Sequence, residues 1–264
     1  MGAPENMSPR ILYLGNNRVA WEILKYLKSE NANTVGLVVH PEDEQQFGAE
    51  ITETAALAPE CVFDGSELNS PPVLQSIRAL RPDLGISVLF NYILQSDFLE
   101  LFPLGCINLH PSFLPYNRGQ YPNVWSIIEG TPAGATLHYV DAGVDTGDII
   151  AQREVPVEAA DTGESLYHKL EQCCLDVFRE AWPLVRTGHA PRTKQENAVR
   201  THHRTSDVET IDPIDLDRSY GARELINVLR ARTFPPYAGA YFVENGRKVY
   251  LRLQLLYEDQ LDGR

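Results

Sequence analysis

The sequence predicts an α/β fold: a Rossmann-like, mostly parallel sheet with a small carboxyl-terminal unit made of a helix and a β-hairpin. Short apolar runs alternate with segments whose apolar residues recur at helical spacing, which is typical of strands joined by helices. With 264 residues, the chain is long enough for one large domain and a small appended one. An apolar content of 43% and a charged content of 22% are those of a globular protein.

The first half of the chain supplies the alternation. We predict strands over residues 10–15, 34–40 and 105–110, a strand that runs into a loop within 83–94, and helices after Gly15 and over 71–82. In such sheets, ligands bind beyond the carboxyl ends of the strands. The first turn, Gly15-Asn16-Asn17-Arg18, lacks the pattern G-x-G-x-x-G, so it does not support a dinucleotide site.

The second half of the chain predicts fewer but longer elements. Residues 135–157 indicate two strands around an acidic loop, and residues 162–188 a long amphipathic helix. Residues 189–211 are polar and predict a linker, in which His202 and His203 would be solvated. Asn245-Gly246 between alternating apolar runs predicts a hairpin. We therefore expect a main domain over residues 1–205 and a small subdomain over 206–264.

Polar residues of chemical interest lie in two of these segments. Asn108 and His110 are two apart on a strand, so their side chains point to the same face. The loop over 140–149 adds the carboxylates of Asp141, Asp145 and Asp148. Taken singly, the two features have plain structural interpretations, namely satisfied polar residues at a strand end and a solvated acidic turn. Taken together, they indicate an acyl-transfer site. A carboxylate beside an imidazole orients it and raises its pKa, and a neighbouring carboxamide can donate a hydrogen bond to an oxyanion.

The stretches "INLHPSFLPYNRG" and "GATLHYVDAGVDTGDII" resemble the signature of the formyltransferases that use 10-formyltetrahydrofolate. The resemblance spans about residues 83–185 and implies the formyltransferase fold, with Asn108, His110 and Asp145 as the catalytic residues. The remaining motif positions are intact: Ser112, Leu114, Pro115, Gly119, Thr146 and Gly147. The co-substrate implied is 10-formyltetrahydrofolate, and no metal is expected.

The resemblance also implies which residues bind the co-substrate, whereas the substrate candidates follow from side-chain chemistry. The resemblance implies that the pterin lies against two loops, with these cofactor-binding candidates: Leu89, Phe90, Asn91, Tyr92, Asp141 and Asp145. Phe90 and Tyr92 have core packing as the alternative. Our substrate-binding candidates are Asn16, Arg18, Arg118, Gln120 and Tyr121. Arginine suits a diphosphate because it binds in bidentate fashion, although exposed surface charge is the alternative for each of the two.

The acceptor is the open question within this family. The carboxyl-terminal stretch "ELINVLRARTFPPYAGAYFVENGRKVYLR" resembles the tail of the sugar N-formyltransferases. The resemblance implies transfer to a dTDP-, UDP- or GDP-linked amino sugar, such as a 4-amino-4,6-dideoxy sugar, for polysaccharide, lipopolysaccharide or antibiotic biosynthesis. The alternatives are phosphoribosylglycinamide formyltransferase, methionyl-tRNA formyltransferase (whose carboxyl-terminal domain is larger and basic) and formyltetrahydrofolate hydrolase. A non-catalytic folate-binding protein is disfavoured because all three catalytic positions are present.

Charge and composition limit the partners. A formal net charge of −13 argues against nucleic acid as a partner. No apolar run approaches the roughly 20 residues of a membrane span, and the beginning of the sequence does not resemble a signal peptide. The four cysteines show no C-x-x-C spacing, as in a reducing compartment. We expect a cytoplasmic enzyme, and relatives suggest a homodimer formed through the hairpin.

Overall fold

The computed structural model describes residues 8–196 and 199–261, and this part of the chain forms two compact units. The first unit comprises residues 8–110, 136–152 and 174–195. The second comprises 111–135, 153–173 and the described residues from 196 onwards. Both units are built from separate stretches of the chain, and the expected division at residue 205 stays a prediction.

The first unit is built on a mostly parallel sheet of seven strands. These strands are β1 (Arg10–Gly15), β2 (Asn33–Val39), β3 (Val62–Asp64), β4 (Leu84–Val88), β5 (Cys106–His110), β7 (Ala133–Tyr139) and β8 (Ile149–Val155). Their order across the sheet is β3-β2-β1-β4-β5-β7-β8. All pairs from β3 to β5 are parallel, and β5 pairs with β7 in antiparallel orientation. The predicted fold class is therefore confirmed.

Of the helices in the described ranges, those over residues 18–29, 71–79, 163–186 and 222–231 lie where the sequence predicts helices, and the others were not predicted. The helices are α1 (Arg18–Ser29), α2 (Gly48–Ala55), α3 (Pro71–Ala79), α4 (Ser96–Leu99), α5 (Pro122–Glu129), α6 (Gly163–Arg186), α7 (Val208–Ile211) and α8 (Ala222–Ala231). Helix α1 begins after Asn17, whose Oδ1 accepts a hydrogen bond from Ala20 N (3.0 Å), because an N-cap side chain satisfies an otherwise unpaired N–H. At the start of α6, Thr162 Oγ1 accepts from Ser165 N (3.2 Å).

Each unit has its own apolar core. In the first, side chains of β1, β2, α3 and α4 form a cluster that includes Leu12, Val38, Ile77 and Phe98. In the second, α5, α6, α7 and α8 contribute a cluster that includes Trp125, Leu166, Val208 and Ala231. The second unit also contains the hairpin β10 (Tyr241–Glu244) and β11 (Arg247–Tyr250), which turns at Asn245-Gly246 as predicted.

The prediction of a linker over residues 189–211 was wrong where the structure describes this segment, and residues 197 and 198 lie outside the described ranges. His202–His203 form a short strand, β9, which pairs in parallel with β6 (Arg118–Gly119), and α7 begins at Val208. The expected solvation of His203 was also wrong, because its ring stacks on Trp125 at 4.0 Å between centroids and 8° between planes. The segment contains few apolar residues, so its structure leaves no hydrophobic pattern in the sequence. Its order comes from backbone pairing with a distant strand.

Candidate active site

The candidate site is built on the antiparallel pair β5 and β7. Their register sets Asn108 opposite His138 and His110 opposite Thr136. The loop after β7 turns back, because Tyr139 N donates to Asp148 O (2.9 Å) and Val140 N to Cys106 O (2.8 Å). The returning loop brings Asp145 to the polar side chains of the strands. Asp145 has φ = 52°, in the left-handed region that residues other than glycine seldom adopt.

Asp145 lies between two imidazoles and a carboxamide. Its Oδ2 is 3.6 Å from His110 Nε2, and its Oδ1 is 3.5 Å from His138 Nε2 and 3.4 Å from Asn108 Nδ2. The carboxylate side chain is 12% exposed and the two imidazoles less than that. The structure therefore brings together the three residues predicted as catalytic and adds His138, while their catalytic roles stay predictions.

Hydrogen bonds fix the orientation of Asn108. Ser87 Oγ donates to Asn108 Oδ1 (2.9 Å), so the amide nitrogen points towards His138 Nε2 (3.3 Å) and Asp145. The carbonyl of Tyr139 lies 2.8 Å from His138 Nδ1, and a carbonyl only accepts, so Nδ1 carries the proton in the neutral ring. His138 Nε2 then accepts from Asn108. Distances of 3.3–3.4 Å are long for such bonds, so an Asn108 N–H can be released to a bound substrate at little cost.

The acidic loop is held by bonds within itself. Asp141 Oδ1 accepts from Gly143 N (3.0 Å) and from Thr146 Oγ1 (2.5 Å). A side chain at Gly147 would place its Cβ 1.8 Å from the carbonyl oxygen of Tyr139, so only glycine fits there. Asp141 itself is exposed. Its cofactor-binding role stays a prediction, and the structure shows it bracing the loop that carries Asp145.

The predicted pterin loop follows β4. Leu89 has φ = 46°, Phe90 packs against the core of the first unit, and Asn91 is exposed. Tyr92 Oη donates to Glu44 Oε2 (2.7 Å), and this hydrogen bond raises the pKa of Tyr92 to about 12. Within residues 8–196 and 199–261, the backbone groups of residues 90–92 form no hydrogen bond with protein. They are therefore left for a ligand or for solvent, which fits a heterocycle recognised through the backbone.

Asn16 follows β1 and is engaged within the first unit. Its Oδ1 accepts from Gln46 N (3.1 Å), and its Nδ2 lies 3.1 Å from His40 Nδ1 and 3.1 Å from Glu44 O. His40 is buried against Phe90, and desolvation lowers its pKa below the ordinary value, opposed by nearby carboxylates. Arg18 occupies the first position of α1, and its side chain is exposed.

The other predicted substrate residues belong to the second unit. Arg118 is 3% exposed, so it is not a free surface charge, and its backbone N–H donates to Thr201 O (3.1 Å). Gln120 N donates to His203 O (3.0 Å). Tyr121 is 39% exposed, with φ = 55°. Substrate binding by these residues stays a prediction.

Two residues of the site were missed from the sequence. His138 is buried on β7, and Ser87 is buried on β4, beside Asn108 in the register of the sheet. The signal for His138 was present, since Thr136 and His138 alternate with apolar residues as Asn108 and His110 do. Ser87 gives no such signal, because a single serine in an apolar strand has no pattern.

A mostly parallel α/β sheet that presents an amide and imidazoles on two adjacent strands, with a carboxylate from the loop that follows them, is consistent with a group-transfer enzyme. The chain belongs to the formyl transferase family: residues 9–181 match the formyl transferase domain, which confirms the resemblance seen in the sequence. Residues 207–257 match the N-formyltransferase dimerization C-terminal domain. The protein is thus a formyl-transferring enzyme.

Known relatives point to two acceptors. The methionyl-tRNA formyltransferase of Geotalea daltonii is 31% identical over 91% of this chain and 78% of its own. A 4-N formyltransferase from Francisella tularensis superposes with a TM-score of 0.77 at 28% identity, over 94% of this chain and 98% of its own. The formyltransferase PseJ from Anoxybacillus kamchatkensis, solved with UDP-4,6-dideoxy-4-formamido-L-AltNAc and tetrahydrofolate, is 32% identical with a TM-score of 0.55, over 76% of this chain and 88% of its own.

The described residues contain neither a metal-binding cluster nor a membrane-spanning helix. Among residues 8–196 and 199–261, no group of three or more His, Cys, Asp or Glu side chains is arranged to hold a metal ion. None of the helices in the same described ranges combines the length and apolar character needed to cross a bilayer.

Proposed function

We propose that this protein transfers the formyl group of 10-formyltetrahydrofolate to the amino group of a nucleotide-linked amino sugar. The observation that carries the proposal is the carboxyl-terminal match. Residues 207–257 match the C-terminal domain of N-formyltransferases, and the Francisella tularensis 4-N formyltransferase is covered over 98% of its length. The UDP-sugar and tetrahydrofolate held by PseJ, at 32% identity, support the two substrate classes.

Charge disfavours the methionyl-tRNA alternative. Surfaces that bind nucleic acid are visibly basic, because they must neutralise phosphates. This chain carries a net charge of −13, and residues 207–257 contain seven acidic and seven basic side chains. Among the seven basic ones, Arg230 donates to carbonyls at 158 and 161, and Arg232 binds Asp212. An amino-sugar diphosphate, in contrast, needs only one or two local arginines.

The proposed mechanism needs no enzyme nucleophile. The uncharged sugar amine attacks the formyl carbon, the new C–N bond forms, and the formyl oxygen becomes an oxyanion. In this mechanism Asn108 Nδ2 and His110 donate to that oxygen, and a donor of this kind typically contributes about 10²–10³ in rate. The C–N10 bond then breaks, N10 of the folate takes a proton, and the amine nitrogen loses one. Asp145 next to His110 provides the acid–base pair for these transfers.

The folate would be held by the loop after β4. The unpaired backbone groups of residues 90–92 would meet the pterin, with Leu89 and the 141–145 loop beside it. Arg18 in the first unit and Arg118 in the second each stay a candidate for binding phosphate. The reaction would serve polysaccharide, lipopolysaccharide or antibiotic biosynthesis in the cytoplasm.

We also propose a homodimer formed through the hairpin. Val243, Val249 and Tyr250 on β10 and β11 are 41–55% exposed, which leaves apolar surface on this hairpin for a partner. The match of residues 207–257 to a dimerization domain supports the same conclusion. Sedimentation should give twice the chain mass of 29.6 kDa, and Val243→Asp together with Val249→Asp should give the monomer.

The deciding experiment is an acceptor screen. The purified protein is incubated with 10-formyltetrahydrofolate and, in turn, dTDP-, UDP- and GDP-linked 4-amino-4,6-dideoxy sugars, phosphoribosylglycinamide, initiator methionyl-tRNA, or buffer alone. We expect tetrahydrofolate release and a formylated product with one class of amino sugar. Formylation of the tRNA or of phosphoribosylglycinamide alone would overturn the proposal. Release in buffer at the same rate as with any acceptor would instead indicate the hydrolase.

A further inference from the structure

The segment after α6 runs along the acidic loop of the candidate site. Thr193 and Ile149 exchange two backbone hydrogen bonds, Ile149 N to Thr193 O (2.8 Å) and Thr193 N to Ile149 O (3.0 Å). The Arg192 guanidinium lies 3.4 Å above the centre of the Tyr139 ring. This segment, which the sequence presents as a linker, is therefore attached to both ends of the loop that carries Asp145.

Gln195 reaches from this segment into the loop itself. Its Nε2 donates to Asp145 O (3.0 Å) and to Gly147 O (2.7 Å). Both partners are carbonyls, which only accept, so both amide protons are committed and the side chain spans the turn. The bracing by Asp141 acts on Gly143 and Thr146, so Gln195 holds the part of the loop that Asp141 does not.

The backbone at Asp145 needs such support. Its φ of 52° lies in the left-handed region, which is less favourable than the right-handed one for a residue with a Cβ, so contacts around it help to keep it there. This conformation directs the carboxylate to His110 (3.6 Å) and His138 (3.5 Å). A rotation about this backbone would move the carboxylate away from both rings.

We propose that Gln195 is a positioning residue for formyl transfer: by holding the carbonyls of Asp145 and Gly147, it keeps the Asp145 carboxylate against His110. It touches no reacting atom and acts through Asp145. The inference rests on the formyl-transfer activity of the family and not on the identity of the acceptor.

The test replaces Gln195 with Met, which has similar length and no donor, and with Glu, which keeps the shape but turns donors into acceptors. The matched control is Gln75→Met, at an exposed position of α3 in the same unit. A displacement of about 1 Å in a catalytic group can cost up to about 10²-fold in rate. We expect kcat to fall about 10- to 100-fold in both Gln195 variants, with the KM of the acceptor within about twofold of wild type, and no change in Gln75→Met.

A double-mutant cycle separates positioning from a general structural effect. If Gln195 acts through Asp145, Gln195→Met should lower kcat less than about twofold in the Asp145→Asn background, since contacting residues are not additive. Full additivity of the two rate losses would overturn the proposal, as would wild-type kcat in Gln195→Met.

A spectroscopic readout needs no acceptor, so it remains valid if the acceptor proposal fails. In the ligand-free protein, ring ¹⁵N signals of His110 should move in the same direction in Gln195→Met as in Asp145→Asn, and stay in place in Gln75→Met. Unmoved His110 signals in a folded Gln195→Met protein would overturn the proposal. If the Met variant does not fold, the Glu variant decides by the same criteria.

Discussion

Exchanging Asn108 for Asp tests the arrangement of the site most directly. The substitution preserves shape, and Ser87 Oγ can still donate to Oδ1. The nitrogen that lies 3.4 Å from Asp145 Oδ1 becomes an oxygen, so a donor is lost and two carboxylates meet. At an effective dielectric constant of about 20, two unit charges at this distance repel by about 5 kcal/mol.

The repulsion has an upper limit because the pair can take up a proton. Protonating a carboxyl group whose ordinary pKa is near 4 costs about 4 kcal/mol at pH 7, which is less than the repulsion. One proton should therefore be shared at neutral pH by Asp145 and the carboxyl group introduced at position 108, and the folded state should bind more protons than the unfolded chain. Unfolding free energy then falls as pH rises, so the deficit relative to wild type is largest at neutral pH and shrinks towards pH 4.

Two assays test this prediction. In initial-rate formyl transfer at pH 7, kcat should drop about 10³-fold, because the oxyanion donor is lost and Asp145 no longer carries a full charge. Thermal unfolding should show a lower midpoint that recovers as pH falls. Asn33→Asp, at an exposed position of β2, adds the same charge to the same sheet and should change neither quantity. A kcat within tenfold of wild type, or a midpoint deficit independent of pH, would refute the reasoning.

Three further predictions concern the surroundings of the site. His138→Phe removes the acceptor of the Asn108 N–H. It should lower kcat about tenfold and the unfolding free energy from chemical denaturation by about 1–3 kcal/mol. An unchanged kcat would show that the His138 ring does not orient the amide. Gly147→Ala forces a Cβ to 1.8 Å from Tyr139 O and should abolish activity or folding; wild-type kinetics would mean that the loop adapts freely. Burial lowers the pKa of His40, so as pH falls below about 6.5 this residue is protonated in the unfolded chain before it is protonated in the folded protein. The wild-type protein should therefore lose more unfolding free energy between pH 7.5 and 5.5 than His40→Gln does. Equal losses would contradict this prediction.

The sequence predicts local elements well and contacts between distant segments poorly. Alternation on a strand sets Asn108 and His110 on one face, and helical spacing gives the long helix, observed over Gly163–Arg186. His138 joins Asn108 through the register of two antiparallel strands, which no local pattern encodes. Gln195 reaches a loop about 50 residues earlier through its side chain alone. Such contacts depend on which segments the fold brings together, and composition made this segment resemble a linker.

The disagreement between the two kinds of relative has a physical explanation. Asn108, His110 and Asp145 all lie within residues 9–181, and in the proposed mechanism they act on the formyl group, which is the same for every acceptor amine. Sequence identity over that region therefore reflects the shared formyl-transfer chemistry. For this reason, 31% identity to a methionyl-tRNA formyltransferase and 28% identity to a 4-N formyltransferase do not discriminate between acceptors. An acceptor is selected by groups that contact its distinctive part, and a polyanion and a sugar diphosphate demand opposite surfaces. The net charge of −13 does not fit a polyanion, so we propose that the acceptor be sought among the nucleotide sugars before tRNA.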